Sequence, residues 1–236
     1  MDFLAVGILG SLWGSFANVC IYRLPLKGGV VKGRSFCPKC KKKIFWYENI
    51  PILSYLILGG KCSKCKKKIS TQYLLVEAIS IFSFLIIYYL FGISITTILL
   101  IILFLSFLII FFIDLKYYII PDILTFPMMV LGFIKSFDPN LNPIFPNYTN
   151  SLLGGIIGYG IIWLIIMFYK KIRNREGMGL GDAKLLAVIG FWFGWISIPF
   201  VIFLSSTIAL IVVVPDLLKR QKKLTSQIPF GPYIII

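Results

Sequence analysis

Histidine is absent from this chain, and acids are scarce: nine Asp and Glu stand against 24 Lys and Arg. Without an imidazole the sequence cannot build a Ser-His-Asp triad, a Cys-His pair, an HExxH zinc site or a two-His iron site. Acid-base chemistry falls mainly to the nine carboxylates. Charge of either sign is also thin. Of 236 residues only 14% are charged and 58% are hydrophobic, whereas a soluble domain has about 25% charged and about 45 to 50% apolar residues. Such a chain cannot cover a water-soluble surface, so it reads as a membrane protein. A formal charge of +15 would first suggest nucleic acid in a soluble protein. In a membrane protein it is tested first against the rule that cytoplasmic loops collect Lys and Arg, and no nucleic-acid partner is expected.

A helical span needs about 20 mostly apolar residues. Residues 3 to 22 carry no charge and form the first span. From Tyr73 to Ile113 the only charge is Glu77, and the run is long enough for two spans with a turn at Gly92-Ile93-Ser94. Residues 123 to 137, 151 to 169, 183 to 198 and 199 to 218 bring the total to seven. The closing Ile-Pro-Phe-Gly-Pro-Tyr-Ile-Ile-Ile begins an eighth, which stops at Ile236. The expected fold is an all-α polytopic membrane protein of seven to eight transmembrane helices. The segment from Arg23 to Lys68 has a different composition, with thirteen Lys and Arg and one acid, Glu48, and reads as aqueous. Placing 23 to 72 inside puts 23 of the 24 Lys and Arg on the cytoplasmic side, with Lys135 as the exception. The amino terminus then lies outside. A cleaved signal peptide fits the first run less well, because it lacks a basic flank and a small-residue cleavage site.

Within the aqueous segment, Cys37-Pro-Lys-Cys40 and Cys62-Ser-Lys-Cys65 repeat one pattern, Cys-x-Lys-Cys-Lys-Lys-Lys-Ile, 25 residues apart. Two such knuckles can bring four thiolates into a tetrahedron suited to zinc or iron. Surrounding lysines offset the negative charge of the cluster and favour the thiolate form. Four protein ligands leave no open position, so the expected zinc is structural and the segment a small zinc-ribbon-like domain. Two disulfides are the competing reading, disfavoured by a cytoplasmic location. Cys20, inside the first span, reads as an inert packing residue.

Ionisable groups at membrane depth are costly and are functional candidates by default. Asp114 falls where the third span meets the inner face, and Asp182 stands at the equivalent depth before the sixth, in Gly177-Met178-Gly179-Leu180-Gly181-Asp182. Two aspartates sharing a proton can activate water for peptide hydrolysis, one as base and one as acid. Three alternating glycines let an extended peptide come close. The blander reading is that Asp182 or Asp122 caps a helix or answers its dipole, that Lys116 and Lys184 are interface anchors, and that Glu77 is a packed helix-end acid. The glycines of Gly154-Gly155-Ile156-Ile157-Gly158-Tyr159-Gly160 read as a close helix-packing face.

In this order along nearly the whole chain, several motifs together resemble the type IV prepilin peptidases, a GxGD class of membrane aspartyl protease. They are Gly14-Ser15-Phe16-Ala17-Asn18-Val19-Cys20-Ile21-Tyr22-Arg23-Leu24-Pro25, the cysteine pairs, Asn49-Ile50-Pro51-Ile52-Leu53-Ser54-Tyr55, Gly60-Lys61-Cys62, Asp114 with Ile120-Pro121-Asp122, the glycine-Asp182-Ala183-Lys184 string, and Ile228-Pro229-Phe230-Gly231-Pro232. The resemblance implies a catalytic pair Asp114 and Asp182, supported by Gly177, Gly179, Gly181, Lys184, Asp122 and Lys116. It implies cleavage of a basic leader from prepilin or pseudopilin precursors, after a glycine and at the cytoplasmic face of a bacterial inner membrane. It also implies N-methylation of the new terminus with S-adenosylmethionine, associated with Gly60 and Lys61 in the cysteine loop. No GxGxxG fingerprint accompanies the methylase. The expected division is residues 1–22 as the first span, 23–72 as the four-cysteine metal domain holding Cys37, Cys40, Cys62 and Cys65, and 73–236 as the protease core in contact with membrane lipids.

Other classes make different demands. A non-enzymatic scaffold docking a partner through its zinc ribbon would need the cysteines and not the aspartates. A transporter would favour acids at mid-membrane and inverted repeats, whereas these cluster at one face. A general GxGD protease without methylase activity would not need the cysteine loop.

Overall fold

The computed structural model describes residues 2–26, 35–37, 39–141, 144–174, 178–218 and 228–236. Gly177 and the basic loop at 219–227 lie outside the described residues. Among those described the chain is helical, with no strand beyond two isolated bridges. The helices are α1 (Phe3–Arg23), α2 (Leu53–Ile57), α3 (Thr71–Phe91), α4 (Ile95–Tyr117), α5 (Asp122–Lys135), α6 (Tyr148–Arg173), α7 (Leu180–Phe193), α8 (Ser197–Leu218) and α9 (Gly231–Ile235). Five helices, α1, α3, α4, α6 and α8, are long and apolar enough to cross a bilayer. The chain is an all-α polytopic membrane protein.

The seven expected spans each coincide with a helix, but α5 and α7 have only 14 residues. At 1.5 Å per residue they rise about 21 Å, short of a hydrocarbon core of about 30 Å. The expected sixth span, 183 to 198, ends early because Gly194 takes a φ of 83°, a conformation that terminates α7 and that glycine adopts without strain. The next helix then starts at Ser197. Local chemistry sets other ends. Asn147 accepts a hydrogen bond from the Asn150 N–H to cap α6, and Lys170, Lys171 and Arg173 sit in its last turn, where the helix dipole favours cations.

The chain divides into two compact units, Met1–Ile109 and Ile110–Ile236. In the first, α1 and α3 pack in opposite directions along a face of small residues. A Cβ on Gly10 would stand 3.0 Å from the Ile81 Cα, and one on Gly14 would stand 2.9 Å from the Glu77 Cα. Val6, Phe84 and Leu105 form the apolar end of this unit. In the second unit α7 is the central helix, with nine of its 14 residues buried. Gly154 on α6 and Gly190 on α7 meet backbone to backbone, and a Cβ on either would overlap the carbonyl of the other. Gly155 lies under the Phe191 ring and Gly158 against the Leu186 carbonyl, while Gly160 faces open space. Three of the four glycines expected to permit close packing therefore do so. Gly154→Leu is expected to separate α6 from α7 and to leave little folded protein after membrane extraction, measured by size-exclusion yield and thermal unfolding.

The far end of α7 is fastened by side chains. Lys135 is buried, donates to the Trp192 carbonyl at 3.0 Å and lies 3.9 Å from the Phe145 ring centroid. Ser151 donates to the Phe191 carbonyl at 2.7 Å, and the Trp192 indole donates to the Met128 carbonyl at 2.8 Å. The bonds to the Phe191 and Trp192 carbonyls satisfy acceptors that the end of α7 leaves open, and the indole ties that end to α5. They also give the buried Lys135 ammonium a carbonyl and an aromatic face as partners.

Candidate active site and metal centre

The two cysteine knuckles repeat in structure as they do in sequence. The Cys37 N–H donates to the Lys42 carbonyl and the Lys41 N–H to the Cys37 carbonyl; the Cys62 N–H donates to the Lys67 carbonyl and the Lys66 N–H to the Cys62 carbonyl. Lys41 and Lys66 take matching left-handed φ values of 55° and 56°. Each turn points two thiols inward, so that Cys37, Cys40, Cys62 and Cys65 place their sulfurs within 4.8 Å of one another. The Cys37–Cys65 and Cys40–Cys62 pairs are 4.0 and 3.9 Å apart. All five cysteines are free, and the separations are close to the roughly 3.8 Å edge of a tetrahedron with metal–sulfur bonds of about 2.3 Å. The four thiols fit a metal. N–H groups of Cys65 and Lys64 lower the Cys62 thiol to about 6, towards the thiolate that metals require. Lys42 ties the knuckles together, donating to Glu48 Oε1 at 2.8 Å and to Ser63 Oγ at 2.7 Å. With the Phe45 N–H also bonded to it, Glu48 is held at about 2, well below the usual carboxylate range.

Gly60 and Lys61 border this cluster. Gly60 has a φ of 65°, and its missing Cβ leaves room for the Tyr55 ring at 3.0 Å. Its carbonyl accepts from the Ile69 N–H, and Lys61 bridges to Lys68 beside the second knuckle.

In the second unit, Asp114 occupies the last turns of α4 and Asp182 the first turn of α7. Both are buried, 4% and 8% exposed, and Asp182 lies within electrostatic reach of Asp114. Burial of two carboxylates in one neighbourhood is costly unless they share a proton or serve a function. Glycines line this site. A Cβ on Gly179 would stand 3.7 Å from Asp182 Oδ2, and one on Gly181 would stand 3.0 Å from the Ile120 Cβ. Gly177 lies outside the described residues. Pro121 is the N-cap residue of α5 and Asp122 the first residue of the helix; no side chain makes a capping hydrogen bond there, and the Asp122 charge sits where the helix dipole favours an acid. Asp122 is outward and pairs with Lys184 at 2.6 Å. Residues two apart on a helix do not share a face, so Lys184 faces Asp122 rather than following Asp182 inward. Lys116 is exposed, with its ammonium 5.1 Å from the Tyr117 ring centroid.

One participant carried no role in the sequence reading. The buried N–H of Gly231, in α9, donates to Asp114 Oδ2 at 3.1 Å. A Cβ there would lie 2.8 Å from that oxygen and 3.2 Å from Ile120 Cδ1. The signal was the Ile-Pro-Phe-Gly-Pro string, a glycine between prolines in an apolar run, but nothing local to it names a partner 117 residues earlier. Gly231→Ala is expected to push the Asp114 carboxylate out of place and to lower any turnover that depends on it about 10- to 100-fold, read as kcat.

Two buried aspartates in one helical membrane unit, and an N-terminal unit with four cysteines placed to hold a metal, define the class: a polytopic membrane protein with a candidate acidic active site. Residues 8–91 match the model of the bacterial peptidase A24 N-terminal domain, and residues 100–214 that of the type IV leader peptidase family. A prepilin leader peptidase/N-methyltransferase of Pseudomonas aeruginosa is 36% identical over 97% of this chain and 86% of its own length. A protein of the same description from Neisseria gonorrhoeae is also 36% identical over 97% of the chain. Another from Pectobacterium carotovorum is 32% identical over 99% of the chain and 90% of its own length. No solved structure matches the chain. The chain belongs to the type IV leader peptidase family.

Proposed function

We propose that this enzyme removes the basic leader of type IV prepilins or pseudopilins and then methylates the new amino terminus. Cleavage follows a glycine at the cytoplasmic face of the bacterial inner membrane. Asp114 and Asp182 share one proton. The ionised carboxylate draws a proton from water as the water attacks the scissile carbonyl, and the protonated one supplies the leaving amine. The observation that carries this reading is the burial of these two acids together with the Gly231 N–H on Asp114, which holds one carboxyl oxygen in a fixed direction. Gly179 and Gly181 keep side chains away from an extended substrate backbone; the substrate's apolar helix lies laterally in the bilayer. Lys184 and Asp122 brace α7 against α5.

Residues 23–72 act as the cytoplasmic metal domain tied to methylation, after a first span at 1–22, and 73–236 act as the protease core. The four cysteines would hold Zn2+, which stabilises the fold of the loop that carries Gly60 and Lys61. S-adenosylmethionine supplies the methyl group. The two lysine-rich knuckles face anionic lipid headgroups rather than a basic leader. Mass spectrometry of a prepilin incubated with the purified enzyme, with and without S-adenosylmethionine, tests both halves. The expected products are a mature chain cut after glycine and, with the methyl donor, one heavier by a single methylene. An intact precursor would overturn the peptidase reading.

A further inference from the structure

The first unit contains a buried carboxylate that neither the peptide-cutting pair nor the metal site uses. Glu77 on α3 is 7% exposed, and the partners that hold it are both neutral: the Ile52 N–H, which donates to Oε2 at 2.8 Å, and the Ser15 hydroxyl of α1. Next to it on the same α1–α3 seam, Asn18 is 3% exposed. Its Nδ2 donates to the Tyr73 carbonyl at 3.1 Å, while its Oδ1 is buried with no hydrogen-bond partner. Gly14 against Glu77 and Asn18 against Tyr73 set the register of the seam. Gly14 and Asn18 stand four residues apart on α1, as Tyr73 and Glu77 do on α3, so the two polar side chains start from positions about 6 Å apart along the seam. A native protein rarely leaves a buried amide oxygen without a donor, and a buried carboxylate is expensive without a cation, of which the described residues place none against Glu77.

The turn covering this seam is strained. Ile52 has a φ of 59° and a ψ of −53°, a backbone conformation that a β-branched residue strongly disfavours. Such outliers persist where the surroundings over-determine them and gather at functional sites. Here the strain aims the Ile52 N–H at Glu77. Among the described residues the groups that bond the carboxylate are the Ser15 hydroxyl of α1 and the Ile52 N–H of the turn, both neutral. Among the described residues the seam thus presents a carboxylate and an unbonded amide oxygen and no positive donor to either.

We propose that Glu77 and Asn18 bind a primary ammonium, the free amino terminus of the cleaved substrate, and that Glu77 takes its proton before methyl transfer. The inference rests on the methylating half of the proposed function. An ammonium has three N–H donors and one charge, which answers both the Glu77 carboxylate and the Asn18 amide oxygen. Of the first unit's other acids, Asp2 is exposed at the start of α1 and Glu48 is bound to Lys42, which leaves Glu77 as the carboxylate available there. In the transfer, one ammonium proton passes to the Glu77 carboxylate. The amine lone pair then forms a bond to the methyl carbon of S-adenosylmethionine while the carbon–sulfur pair returns to sulfur, giving a methylammonium terminus and S-adenosylhomocysteine.

The test uses the full chain in lipid nanodiscs without methyl donor, and a peptide beginning at the mature terminus with its amine either free or acetylated. Wild type is expected to bind the free amine about 10- to 100-fold more tightly, the range for hydrogen bonds to a charged group. In Glu77→Gln the ratio falls to about one, and in Asn18→Leu it falls part of the way. Because each ratio is internal to one variant, loss of overall stability does not mimic the result. A wild-type ratio near one, or an unchanged ratio in Glu77→Gln, overturns the proposal. If wild type prefers the free amine yet transfers no methyl when S-adenosylmethionine is added, the ammonium site stands and the methylating reading falls.

Discussion

Replacing either Asp114 or Asp182 with asparagine is expected to lower precursor cleavage by at least about 1,000-fold, towards the upper end of what positioned acid-base catalysis contributes. Asparagine preserves shape and can still accept the Gly231 N–H, so the local fold is retained while the shared proton is lost. The double variant should be hardly worse than either single one, because two groups acting on one proton act as a unit. Methylation of a peptide supplied already cut should persist in these variants. Cleavage retained in both Asp114→Asn and Asp182→Asn, followed by mass spectrometry of product, would sink the paired-aspartate mechanism. Asp122→Asn offers the contrast: its carboxylate is exposed and bonded to Lys184, and exposed pairs contribute only about 0.2 to 1 kcal/mol, so cleavage should fall less than about fivefold.

Loss of the metal centre should separate the two activities in the opposite sense. Structural zinc sites of this kind carry about 10 to 16 kcal/mol of apparent binding free energy, more than a small domain's own stability. The knuckle turns keep few other restraints, mainly their paired backbone bonds and the Lys42–Glu48–Ser63 link. Cys62→Ser, or exhaustive chelation, is therefore expected to unfold the loop and abolish methylation while leaving cleavage within a few fold of wild type. Metal content by mass spectrometry, protease sensitivity of residues 35–70 and the methylated fraction of product check this together. A fully methylating enzyme with no bound metal would refute the structural role. A scaffold whose only function is docking through the cysteines would instead lose partner binding and show no cleavage at any stage.

The glycine-rich seams explain why so many functional strings in this sequence contain glycine without chemistry of their own. Gly14, Gly154 and Gly190 give up a side chain so that helices can touch backbone to backbone, and van der Waals contact is the main cohesive force available between helices in lipid. Gly181 and Gly231 use the same allowance differently. They bring Ile120 and the Asp114 carboxylate into contact with segments far away in sequence.

What the sequence alone determined were the features written in local composition. Apolar runs marked the positions of the helices, and the duplicated Cys-x-Lys-Cys turns marked four thiols that the structure gathers, because each of these signals lies within one turn or one span. The scarcity of acids and the absence of histidine reduced the candidate chemistry to a few carboxylates, of which Asp114 and Asp182 were legible by depth. Only the tertiary structure decided how those carboxylates are held. Gly231 reaches Asp114 across 117 residues, Lys184 turns away from Asp182 to Asp122, Lys135 closes the far end of α7, and the Ile52 turn leans on Glu77. Each is a contact between segments distant in sequence, so no local pattern announces it. The shortness of α5 and α7 belongs here too: hydropathy marks where a helix is apolar, but Gly194 ends α7 through its backbone conformation.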